Sequence, residues 1–167
     1  MGEWTLTPEV ANFADNARRF CEFCEESHTL ELGERLLRGA ISLANLYSAG
    51  LFLREEAPPE ERLHPQIEEL RNFPGFDELT LFWQVQDAHE WSAPVVASLS
   101  ELIVGIYRDV KRALVIFDKG YATGDSLLMH QAAWDWQYHM ERTWGNRAVD
   151  ALRGLHSAMN KLHSRQV

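Results

Sequence analysis

The chain is poor in the features that announce a function. It has two cysteines, Cys21 and Cys24, so no disulfide framework or four-cysteine zinc site can be built from it. It has no apolar run of about 18 residues, so nothing in it is expected to span a membrane. The opening MGEWTLTPEV lacks the basic and apolar regions of a signal peptide, and no Ser or Thr follows Met1-Gly2 at residue 6 to suit myristoylation. The cytosol is therefore the expected compartment. Positive charge is scarce: the formal net charge is −9, which argues against non-specific binding to nucleic acid or to an anionic membrane. There is no phosphate-cradling glycine loop, nucleophile elbow, HExxH or EF-hand loop, and no repeated ExxH of the kind that builds di-iron bundles. The residues require no cofactor and no metal.

What remains is a helical chain. Its 167 residues suit one domain with a real core, residues 1–167, interrupted by a loose surface loop at 54–75. The expected fold is all-α, a single-domain helical bundle of four main helices plus one or two short ones. Thr7-Pro8-Glu9 is a helix start, with a capping hydroxyl, a proline at the first position and an acid at the positive dipole end. Val10, Phe13, Ala14, Ala17 and Phe20 form the stripe of that first helix, and Cys21 and Cys24 continue it as small buried hydrophobes. A second helix, capped by Thr29, carries Leu32, Leu36, Ala40, Leu43 and Tyr47 inward, with Leu37, Ala44 and Leu51 beside them, and ends near Leu53. The short joint at 27–29 makes these two antiparallel.

The loop 54–75 is charged and proline-rich, and His64-Pro65 could open a short helix through Leu70. Residues 76–91 fit both alternation and helical spacing. Lacking a second convincing strand for pairing, they are read as a helix ended by Pro94. Ser98-Leu99-Ser100-Glu101 is a capping box for a helix to about Asp118, with Gly120 as its terminating residue. Asp125 caps a last helix that reaches His163, either unbroken or broken at 143–145.

On a wheel of 100° per residue, Leu127, Trp134, Tyr138, Gly145, Ala148, Leu152, Leu155, Met159 and Leu162 share one side of the last helix. Glu141 lands inside that arc. A carboxylate there needs a partner, with Tyr107, Arg108, Arg142 and Arg147 as donors, or else it lines a pocket. Asp135 and His139, four apart, meet on the opposite, outer face. The candidate pocket or buried polar cluster is Tyr107, Arg108, Asp109, Trp136, His139, Glu141 and Trp144, between the last two long helices.

SLSELIVGIYRDVKRAL, followed by AAWDWQYHMERTWGNRAVDALRGLH, resembles the bacterial family called domain of unknown function DUF5063. The resemblance spans roughly 82–156 and is carried by Ser98, Leu99, Tyr107, Arg108, Asp109, Trp134, Trp136, Trp144 and Gly145. The chain departs from the family pattern at Glu101-Leu102 and Gly105, where acids are expected, and at Thr143, where a histidine is expected. The resemblance implies a helical fold and supplies no activity. The leading expectation is a non-catalytic module that binds a protein partner or a small ligand. The alternative is an enzyme or metal-binding protein, and the oligomeric state is left open.

Overall fold

A computed structural model describes residues 4–165. The first three residues, on which part of the leader and myristoylation readings rests, lie outside the described residues. Four helices make the bundle: α1 (Pro8–Glu26), α2 (Leu32–Gly50), α3 (Leu99–Thr123), and a fourth built from α4 (Ser126–His139) and α5 (Gly145–Ser164). A five-residue π turn, Met140–Trp144, joins α4 to α5 without a break. Between α2 and α3 the chain forms a small antiparallel hairpin of β1 (Leu81–Gln84) and β2 (Val95–Ser98).

Local chemistry sets the helix starts. Thr7 Oγ1 accepts from the Val10 amide, Ser98 Oγ from the Glu101 amide, and Asp125 Oδ1 from the amides of Leu127 and Leu128. Thr29 does not cap α2. It sits in a 3-10 turn with its hydroxyl on Glu26 O, and α2 begins after Glu31 without a side-chain cap. Of the expected α2 stripe, Leu36 and Leu43 are buried and Leu32, Ala40 and Tyr47 pack against the core, joined by the buried Arg35, Gly39, Leu46, Ala49 and Gly50, while Leu37 and Leu51 are exposed. α3 runs past Gly120, which is buried inside it, and ends at Gly124, whose φ of 71° is the left-handed conformation a helix stop requires.

The helix expected over 76–91 is absent. Leu81–Gln84 pairs with Val95–Ser98, Trp83 opposite Val96 and Phe82 opposite Ala97. The missing partner strand opens with the β-branched pair Val95-Val96 just after Pro94 and ends on the capping serine itself. Ser98 thus closes β2 and opens α3 at once. Phe82 faces α5, where its ring packs at Gly154.

Contacts between the helices fix their directions. The end of α1 meets the early part of α3 through Glu25 and Tyr107, and its middle meets the end of α3 through Arg18 and Asp118. These two are antiparallel, so α2 and α3 run the same way. The connection between them must therefore climb the length of the bundle, about 28 Å for a helix of this size. The core holds Phe13, Phe20, Leu36, Leu43, Ile103, Ile106, Trp136, Trp144 and Leu155, all at most 1% exposed. Cys21 and Cys24 lie within it as free thiols, and burial pushes the Cys21 thiol up to about 12. Both are expected to react slowly with a thiol reagent in the native protein and quickly after unfolding. Fast native labelling would show that the α1 face opens.

Candidate functional site

The connection 51–76 is a strap. None of its backbone groups from 54 to 75 bonds another backbone group among the described residues. Side chains hold it instead. Glu56 accepts from the Trp4 indole at 3.3 Å and lies 3.7 Å from His130. The Arg62 guanidinium stacks 4.0 Å from the Trp134 ring centre. The buried Gln131 amide accepts from Leu63 N and donates to Leu63 O, at 2.9 and 2.8 Å, as a neighbouring strand would. At the far end Arg35 donates to Gly75 O at 2.8 Å, and the rings of Phe73 and Phe76 meet edge-on. The strap is tied to α4 at Leu63 and to α2 at Gly75, and has to bridge α3 between them. The short helix expected from His64 to Leu70 does not form: these residues carry no regular secondary structure.

Between the strap and the outer face of α3 lies a cleft of about 390 Å³. Residues 64–70 form one wall. Val104, Tyr107, Arg108 and Arg112 form the other. The Tyr107 ring is buried, and its hydroxyl donates to Glu25 Oε1 at 2.8 Å, an oxygen that also takes Lys111 Nζ at 2.6 Å. Burial and the adjacent Glu25 carboxylate raise the Tyr107 hydroxyl well above the ordinary range, so it stays a neutral donor.

The seven residues singled out by sequence do not converge. Tyr107 and Arg108 line the cleft. Trp136 and Trp144 belong to the core. Their indoles donate to Val110 O at 3.2 Å and to Trp136 O at 3.0 Å, and both rings pack on Phe13. They fill the space where a cleft between the last two long helices was expected. Asp109 turns to the π turn, where Thr143 Oγ1 lies 2.8 Å and Arg147 Nη1 3.5 Å away. His139 is nearby, its carbonyl 3.0 Å from Thr143 Oγ1 and its Nδ1 buried without a hydrogen-bond partner among the described residues. Glu141 contacts none of the other six among the described residues. Its side chain is 65% exposed and meets only Gln137 and Arg142 among the described residues.

The misplacement of Glu141 has one cause. In α4 the core face is Ala132, Ala133 and Trp136, opposite to Tyr138 and to the 71%-exposed Leu127, and Trp134 is covered by the strap rather than by another helix. In α5 the core face holds Ala148 and Leu155, as the wheel has it, together with Ala151, which the wheel leaves out. The π turn adds one residue, about 100° of phase, between the two halves. A single wheel therefore cannot hold both halves in phase and turns one of them by more than a quarter turn. Asp135 and His139 are likewise half-buried rather than on an outer face. Burial raises the Asp135 carboxyl above its usual range, against the Gln131 bond and the nearby His139, Arg62 and His64. Glu141→Ala is expected to change stability by less than about 0.5 kcal/mol in a denaturant melt, the range of surface substitutions. A larger loss would mean the carboxylate has a buried partner.

Sequence reasoning missed Gln131, Arg35, His64 and Arg112. Only Arg112 left a trace, as the second arginine of YRDVKR, four residues after Arg108 on the same helix face. No three metal-ligating side chains come together among the described residues, and none of the described helices is long and apolar enough to cross a membrane.

These features define a class: a four-helix bundle whose second and third helices run in the same direction, joined by a strap and a hairpin. Residues 5–161 match the model of the family described as Domain of unknown function (DUF5063), and the chain belongs to that family. The match covers far more than the 82–156 segment that carries the resemblance in sequence. The fold is similar to that in the crystal structure of protein BF1032 from Bacteroides fragilis, with a TM-score of 0.73 and 20% identity over 89% of this chain and 90% of that one. No curated protein matches the chain.

Proposed function

We propose that the protein is a non-catalytic cytosolic binding module whose ligand occupies the cleft under the strap. The observation that carries this reading is the cleft itself. Its size falls within the range of small-molecule sites, about 300–1,000 Å³. One wall is a helix and the other, residues 64–70, has no regular secondary structure and makes no backbone–backbone hydrogen bond among the described residues. Such a segment offers donors and acceptors to a guest at little cost to the core.

The competing reading, an enzyme or metal centre between the last two long helices, has less support. Two tryptophans occupy that space, and Asp109 is engaged by Thr143 and Arg147. A fragment screen by protein-observed NMR tests the proposal. Hits are expected to shift the amides of 66–70 together with those of Val104–Arg112. A screen whose hits all map elsewhere, or that gives none, overturns it.

A further inference from the structure

We propose that the strap cleft takes a small organic anion, its phosphate or carboxylate head held between Arg108 and Arg112; this rests on the cleft being the binding site. The two arginines stand four residues apart on the outer face of α3 and both line the cleft. Like charges at that spacing repel. Neither makes an ion pair among the described residues, although the chain carries 25 acids against 16 basic residues. The helix itself denies them partners. Around Arg108 the positions three and four away hold Val104, Gly105, Lys111 and Arg112. For Arg112 they hold Arg108, Asp109, Val115 and Ile116, and Asp109 is turned to Thr143 and Arg147.

Two guanidinium groups facing one cleft present paired N–H forks, the geometry that binds a carboxylate or phosphate bidentately. The body of the ligand would lie against Val104, Ile67 and Leu70, the apolar part of the same walls. Glu68 and Glu69 also line the cleft, outside ion-pair distance of either arginine. Their negative charge opposes an anion, so they act as a brake on affinity rather than as ligands.

Titration of the intact protein with phenyl phosphate, benzoate and neutral benzyl alcohol, followed by NMR, tests the inference. At least one anion is expected to shift the amides of Val104–Arg112 and 66–70, and to bind at least tenfold tighter than the alcohol. Preference for phenyl phosphate identifies a phosphate head, and equal binding a carboxylate-sized one. The double variant R108Q/R112Q, at exposed positions, should keep its fold by circular dichroism and lose at least tenfold in anion affinity, while E68Q/E69Q gains severalfold. Equal affinity for all three probes, or unchanged anion binding by R108Q/R112Q, overturns the anion while leaving the cleft as a binding site. No shift at the cleft with any probe removes both.

Discussion

Gly145→Ala is expected to destabilise the protein by about 3 kcal/mol, with the sign opposite to helix propensity. In an ordinary helix interior the change from glycine to alanine stabilises by about 1 kcal/mol. Here the Gly145 amide closes the π turn on Met140 O, and a Cβ at 145 would lie far inside van der Waals contact of that oxygen and 3.2 Å from Met140 Cγ. The obstacle is backbone, so no rotamer relieves it. Reverting the turn to α-helix would remove the clash but also one residue's worth of phase. That would rotate Ala148, Ala151 and Leu155 by about 100° away from the core they fill with Trp144. Urea melts of the variant and parent measure the difference. A neutral or stabilised variant would mean that the π turn does not depend on glycine at this position.

The same turn explains how much of the molecule could be read in advance. Features that depend on a few neighbouring residues were legible. The caps at Thr7, Ser98 and Asp125 are side-chain oxygens bonded to amides two or three residues on, and the sequence places them without knowledge of the fold. The stripe of α1 needed only a regular helix. The phase of α4 was lost because the wheel assumes a uniform 100° step, and the extra residue at 140–144 leaves no composition signal beyond a glycine. The hairpin was lost because a strand is defined by its partner, and Val95–Ser98 is short and merges with a helix start. The cleft was least legible. Its walls are some forty residues apart in sequence, and they meet because α2 and α3 run the same way, which forces the connection across α3. Tyr107 and Arg108 were singled out for a cleft between the last two long helices, whereas the cleft they line is on the other side of α3.

Arg35→Met is expected to cost about 4 kcal/mol, the larger of the two effects, and it tests how the strap is anchored. Arg35 is 9% exposed, and its guanidinium donates to three backbone carbonyls: Nε to Ser27 O at 3.2 Å, Nη1 to Gly75 O at 2.8 Å and Nη2 to Leu30 O at 2.7 Å. No carboxylate pairs with it among the described residues, so carbonyl dipoles alone balance its charge. Replacing a buried ion pair by apolar groups is often neutral, because both charges leave together. Here only the donor leaves. Three carbonyls stay behind in a site that methionine fills but cannot hydrogen-bond, and each unpaired group costs about 1–3 kcal/mol. Lysine is expected to recover less than half of the loss, since one ammonium cannot reproduce the planar fork that spans the α1–α2 joint and the strap. Because the partners are uncharged, the loss should be nearly independent of salt. Its location is also specific. Amide exchange should quicken at Phe76 and in the first turn of α3, where the freed end of the strap leads, more than at Phe13 or Trp136 in the core. Equal stability of the methionine variant and parent would mean that water replaces the guanidinium at all three carbonyls, and that the strap is held by Gln131 and the aromatic contacts alone.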